Sequence, residues 1–312
     1  MRADSSPKIG SGHVMRLSAI AEELITRGET VIYIGQLAEL PWLATRIYTL
    51  GFSQIFQRST EFSPDPALDI LILDSYSLPV DDAFINPGNW RRVVTISDEQ
   101  TPSYFANLII HPGISENWEP AQEAKFLIGP RYTPFRKSIT KVKSFSMNVE
   151  LLEILVVGGG TDPFNFVEAI AKRLMGIQGH FCARLFSNNF SLANLDSRFT
   201  CVPIGPELDM YANSADLVFT TASTTSLEFI ARETAVGIGC AVDNQKEYYK
   251  LLARAGVAAQ IGQFSNGRWN LADQKISKMI HSKEFREKLI KNSLGVFDLQ
   301  GVTRIVDEIL KI

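Results

Sequence analysis

A histidine stands where a glycine-punctuated loop turns into a helix: residues 4 to 16 read Asp4-Ser5-Ser6-Pro7-Lys8-Ile9-Gly10-Ser11-Gly12-His13-Val14-Met15-Arg16, and amphipathic spacing follows at once. Gly10 and Gly12 let the backbone turn tightly and let a ligand approach closely. The positive end of the following helix disfavours imidazolium, so the setting suits a neutral ring that accepts a proton. An ordinary loop with His13 facing solvent would use the same residues, and this segment alone does not separate the two.

Three segments of the second half carry a different chemistry. Val156-Val157-Gly158-Gly159-Gly160-Thr161-Asp162 joins a strand pattern to a helix pattern and offers free amides to an anionic or sugar ligand. It lacks the Gly-Lys-Ser/Thr of a Walker loop and the full dinucleotide glycine spacing, so a nucleoside triphosphatase and a dehydrogenase are both disfavoured. Ala222-Ser223-Thr224-Thr225-Ser226-Leu227-Glu228 opens another helix. Its hydroxyls and amides could hold a diphosphate and its carboxylate a ribose diol, or the serines and threonines could simply cap the helix. Asp243-Asn244-Gln245 follows the next strand pattern, which brings three loops to one carboxyl edge.

The elements that must position these residues alternate between strand and helix, the rhythm of a parallel sheet. Strands are expected at Thr30 to Ile34, Ile70 to Leu73, Val93 to Ile96 and Leu108 to Ile110, then at Glu153 to Val157, Cys182 to Phe186, Leu217 to Phe219 and Val236 to Cys240. Helices are expected after His13 and at Phe164 to Met175, Thr225 to Arg232, Asn244 to Arg254 and Phe297 to Ile312. A chain of 312 residues exceeds one ordinary core. The periodicity breaks between Gly129 and Asn148, so domains are expected at 1–140 and 150–296, with 297–312 a terminal helix. Only Met1, Arg2 and Ala3 precede the His13 loop, where five or six apolar residues would ordinarily form a first strand. That strand is expected to be missing, with lower stability there.

A net charge of −3 with dispersed lysine and arginine excludes the basic stripe that nucleic acid requires. No apolar run reaches the roughly 18 residues that span a bilayer, and the amino terminus lacks a signal-peptide core, so the expected location is the cytoplasm. Cys182, Cys201 and Cys240 are odd in number and flanked mostly by apolar residues, which points to reduced, buried thiols and no metal site. His111, His180 and His281 receive no role.

With these motifs in hand, the chain resembles the UDP-sugar hydrolases of the pseudaminic acid pathway, relatives of the MurG-type glycosyltransferases. Arg2, Asp4, Ser6, Ile9, Gly10, Gly12, His13 and Arg16 stand in the places of that family's amino-terminal signature. Leu73-Asp74-Ser75-Tyr76, Asp98-Glu99, Gly129-Pro130-Arg131-Tyr132, Gly158 to Asp162, Glu228 and Asn244-Gln245 are similar, in the family's order. The resemblance implies two Rossmann-like α/β/α domains in the GT-B architecture with a cleft between them. It implies a monomer that releases UDP from a UDP-activated deoxy-amino sugar without cofactor or metal.

By the same resemblance His13 is the general base. Asp98 is the second candidate for that role, Asp4, Gly10, Gly12 and Arg16 attend the sugar, and Asp74, Tyr76 and Asp98, each at the end of an expected strand, could orient the sugar or the histidine or equally cap a helix or a turn. Gly159, Gly160, Thr161, Asp162, Ser223, Thr224, Thr225, Ser226, Glu228, Asn244 and Gln245 attend the nucleotide. Water activated by His13 would attack the anomeric carbon opposite the diphosphate, with inversion. Three departures bear on substrate: Ser75 replaces the usual histidine, Ser97 a second aspartate and Ser223 a common glycine. A glycosyltransferase using a UDP-sugar, or a non-catalytic nucleotide-sugar binder, therefore stays open.

Overall fold

The computed structural model describes residues 1–6, 10–37, 40–75, 78–79, 82–98, 102, 104–114, 123–141, 151–188 and 195–311. The chain forms two compact units, Met1–Lys137 with Asp298–Ile312, and Ser138–Phe297.

Helix α1 (Gly12–Thr26) opens the first unit and buries Val14, Leu17, Ala21 and Leu24, the stripe that its three- and four-residue spacing dictates. Strand β1 (Ile32–Ile34), helix α2 (Pro41–Thr49) and strand β2 (Gln54–Phe56) follow, with β1 and β2 parallel. Strands β3 (Ile70–Leu73), β4 (Arg92–Ile96), β5 (Leu108–Pro112) and β6 (Lys125–Gly129) form a parallel set in that order. The helix Gly301–Ile309 buries Val302, Ile305, Val306 and Ile309 in the same core as α1, and Arg27, just past the end of α1, pairs with its Asp307 at 2.6 Å.

Among the described residues no regular strand precedes Gly10, yet the place of one is filled. Arg2 pairs in parallel with Ile34 on one side and Leu73 on the other. Ile34 N donates to Met1 O (2.8 Å) and Ala3 N to Ile34 O (3.3 Å), while Arg2 N donates to Ile72 O (2.8 Å) and Asp74 N to Arg2 O (3.1 Å). Three residues thus join β1 to β3 into one sheet and set the backbone of Asp74. From this short segment the chain runs outward through β1 and β2 on one side and through β3 to β6 on the other. The reversal, a topological switch point, lies between Met1–Ala3 and β3.

The second unit is a seven-stranded sheet built from β7 (Leu152–Val157), β8 (Phe181–Phe186), β9 (Phe199–Val202), β10 (Leu217–Thr221), β11 (Ala235–Cys240), β12 (Ala259–Ser265) and β13 (Arg268–Leu271). The spatial order is β13-β12-β11-β10-β7-β8-β9, parallel except for the β12–β13 hairpin. Helices α3 (Phe166–Met175), α4 (Leu208–Ala212), α5 (Thr224–Ala231), α6 (Lys246–Arg254), α7 (Asp273–His281) and α8 (Lys283–Ser293) complete it. Phe166, Ile170 and Leu174 of α3 meet Ile154, Phe219, Ile276 and Met279 in one core. Here the switch point lies between β7 and β10. The cysteines are free, but Cys201 is exposed on β9, against the expectation of buried thiols. Its strand lies at the sheet edge, so apolar flanks there do not bring burial.

Gly35 shows how tightly Met1–Ala3 is built in, because a Cβ at that position would stand 1.7 Å from Ala3 O. Gly35→Ala is expected to cost about 2–4 kcal/mol through displacement of that backbone. A urea unfolding midpoint equal to wild type would contradict this seating.

Candidate functional site

At the switch point of the first unit, just before α1, Gly10 takes a positive φ of 85° and its N–H donates to Ser6 O at 2.7 Å. Gly12 is the first residue of α1 and His13 the second. Asp74 leaves the end of β3 fully buried, at 0 % exposure. Its Oδ1 lies 2.6 Å from His13 Nδ1. A carboxylate accepts, so Nδ1 donates to it, and in the neutral ring that tautomer places the lone pair on Nε2.

Arg16, one helical turn beyond His13, donates from Nε to Asp74 Oδ2 (2.9 Å) and from Nη2 to Asp74 Oδ1 (2.8 Å). Its Nη1 reaches both oxygens of Asp98, at 2.5 and 2.6 Å, beyond the end of β4. His13, Arg16, Asp74 and Asp98 therefore form one network, buried at the first three and partly buried at Asp98. Asp4 lies apart from it: its Oδ1 accepts from Arg2 Nη1 (2.5 Å) and from Gln36 N (2.8 Å). Ile9, Tyr76 and Glu99 lie outside the described residues.

Two neighbours that carry no assignment from sequence border this network. His111 at the end of β5 is buried and donates from Nδ1 to the carbonyl oxygen of Ser97, the residue before Asp98, at 2.7 Å. Tyr104 shares a 2.8 Å hydroxyl bond with Thr95 of β4. The available signal for His111 was its position at a strand end on the edge that carries Asp74 and Asp98.

In the second unit the loops after β7, β10 and β11 lie side by side, because those strands are neighbours and parallel. Gly159, at φ 95°, comes within 4.0 Å of Thr221 Oγ1 when measured from its ideal Cβ position, so the glycine loop and the serine loop adjoin. A Cβ on Gly158 would stand 2.2 Å from Asp162 Cγ, so the loop folds directly over that carboxyl group. Asp162 accepts from Phe166 N (2.8 Å) and Val167 N (3.1 Å), which satisfies donors at the start of α3. Gly160 and Thr161 complete this turn.

Ser223 precedes α5 in extended conformation without a side-chain cap, with Thr224 and Thr225 the first helical residues. Ser226 Oγ is turned back to Ser223 O at 2.7 Å. Glu228 is buried in the second turn of α5. Gln245 Oε1 accepts from Ala241 N at 2.8 Å, closing the loop after β11, and Asn244 is exposed. A separate cavity of about 710 Å³, lined in part by Ala258, Lys278, Phe285 and Leu289, contains none of these residues. Among the described residues no cluster of three His, Cys, Asp or Glu side chains could hold a metal ion, and no helix is long and apolar enough to cross a membrane.

Comparison with solved structures gives the architecture a name. Acinetobacter baumannii MurG matches at a TM-score of 0.65 with 15% identity over 97% of each chain. The kitacinnamycin glycotransferase matches at 0.67 with 13% identity, over 96% of this chain and 95% of that one. An S. aureus MnaA–UDP co-structure matches at 0.59 with 12% identity, over 98% and 94%. No family model and no curated protein sequence matches the chain. The chain has the GT-B fold of two Rossmann-like α/β units, as the glycosyltransferases among these structures do.

Burial pushes the Asp162 carboxyl up to about 6, against the pull of its two backbone donors. The folded protein then holds a proton that the unfolded chain releases, so this group's contribution to stability falls as pH rises from about 4 through 6. Asp162→Asn keeps an acceptor but cannot ionise. Its unfolding midpoint relative to wild type is expected to rise across that window, and a pH-independent difference would contradict the assignment.

Proposed function

We propose that the chain is a nucleotide-sugar hydrolase that releases UDP from a UDP-activated deoxy-amino sugar, with His13 as the general base. The observation that carries this reading is the 2.6 Å contact between His13 Nδ1 and the buried Asp74 carboxylate. That contact orients the ring and stabilises the imidazolium that forms when Nε2 takes a proton from water. The water oxygen bonds to the anomeric carbon on the face opposite the diphosphate. The electron pair of the broken carbon–oxygen bond leaves with UDP, and the anomeric configuration inverts.

The nucleotide half of the reading rests on the second unit. Amides and hydroxyls of Gly159 to Thr161 and Ser223 to Thr225 offset charge that grows on the diphosphate, aided by the positive end of α5. Glu228 accepts from the ribose hydroxyls, with Asn244 and Gln245 at the adjoining loop. Support comes from the resemblance of the His13 segment to the pseudaminic acid hydrolases and from the UDP in the S. aureus MnaA structure.

A second reading draws on the glycosyltransferases among the structural neighbours: the same base would deprotonate an acceptor hydroxyl in place of water. Incubation with a panel of UDP-sugars separates the two. A hydrolase frees UDP in buffer alone, whereas a transferase needs acceptor.

His13→Ala is expected to lower kcat by roughly two to four orders of magnitude while UDP affinity by calorimetry stays within about twofold of wild type. An unchanged turnover would remove His13 from the mechanism.

A further inference from the structure

We propose that Arg16 and Asp98 are a positioning pair that holds the Asp74 carboxylate on the His13 ring, with Asp98 the anchor of the pair and not a proton acceptor; this assignment rests on His13 serving as the base. Arg16 stands three residues after His13, so both side chains leave the same face of α1. Its guanidinium meets Asp74 edge-on through Nε and Nη2, which fixes the plane of the carboxylate as well as its location. Oδ1 then receives two donors, Arg16 Nη2 at 2.8 Å and His13 Nδ1 at 2.6 Å. A ring bonded to a carboxylate so constrained has little freedom to swing.

Asp98 completes the geometry from the other side. Both its oxygens converge on the one nitrogen that Arg16 turns away from Asp74. The carboxylates leave the ends of adjacent parallel strands, β3 and β4, and a single planar cation between them removes their mutual repulsion. Lysine carries the same charge but cannot present parallel donors to one carboxylate while reaching a second. A carboxylate with both oxygens on a guanidinium is a poor base, whereas it is well suited to pin that guanidinium.

The test combines kinetics of UDP release with proton NMR of the ligand-free protein, where an imidazole N–H bonded to a buried carboxylate gives a strongly downfield resonance. Arg16→Ala is expected to lose about 100- to 1,000-fold in kcat with KM nearly unchanged, to lose the downfield proton, and to regain both in part with millimolar guanidinium. Arg16→Lys is expected to lose the proton as well, with no rescue, which covers the case in which the alanine variant does not fold. Asp98→Asn is expected to lose about tenfold in kcat and to keep the proton.

An Asp98→Asn loss as deep as that of His13→Ala would make Asp98 a proton acceptor and overturn the assignment. So would a downfield proton that survives unchanged in a folded Arg16 variant. A wild-type protein inert toward every UDP-sugar would sink the hydrolase reading alone, because the proton signal and its guanidinium rescue are read without turnover.

Discussion

Asp74 is a carboxylate with no access to water, and such a charge is tolerated only where donors replace the lost hydration. Those donors come from one turn of one helix, His13 and Arg16, while the Asp74 backbone is tied to Arg2. Removing one partner from a buried pair of this kind costs about 3–5 kcal/mol because the other is left uncompensated. The constraint therefore docks α1 on the end of β3 and leaves the imidazole at the helix start in one orientation. Stability of the amino-terminal region and geometry of the candidate base are one construction.

Each unit presents its chemistry at the place where its sheet reverses direction. In the first, the His13 loop follows Met1–Ala3 and Asp74 follows β3, the two segments that flank the reversal. In the second, the Gly158 and Ser223 loops follow β7 and β10 and flank it likewise. The two reversals differ in kind: beside the first lies the ion network of His13, Arg16, Asp74 and Asp98, and beside the second the glycine loop, the hydroxyl-rich start of α5 and the buried Glu228.

Much of this fold was legible because its strands are buried runs with strong periodicity. Ile70 to Leu73 was read to the residue, and the strands around Val94, Ile109, Val156, Ala183, Phe219 and Ile238 to within one or two residues at each end. The short β2 and the edge strand β9 carry no such run. The β12–β13 hairpin did carry a local signal, Asn266-Gly267, both at positive φ, a pair suited to a two-residue turn. Three residues show no period, so Met1–Ala3 reads as a missing strand until pairing on both flanks reveals its place. At the site, His13 was legible from its loop-to-helix setting. The union of Arg16, Asp74 and Asp98 was not, since it joins positions 58 and 82 residues apart along the chain. Nor was it legible that the Asp162 carboxyl accepts from Phe166 N at the start of α3, a local bond that the glycine run gives no sign of.

In the proposed reaction, water held by a fixed imidazole attacks carbon. Turnover of a UDP-sugar in ¹⁸O-labelled water, followed by mass spectrometry of both products and proton NMR of the first-formed anomer, tests that most directly. Label in the sugar alone, with inverted configuration at the anomeric carbon, is the predicted result. Label in the diphosphate, or retention at that carbon, would contradict it.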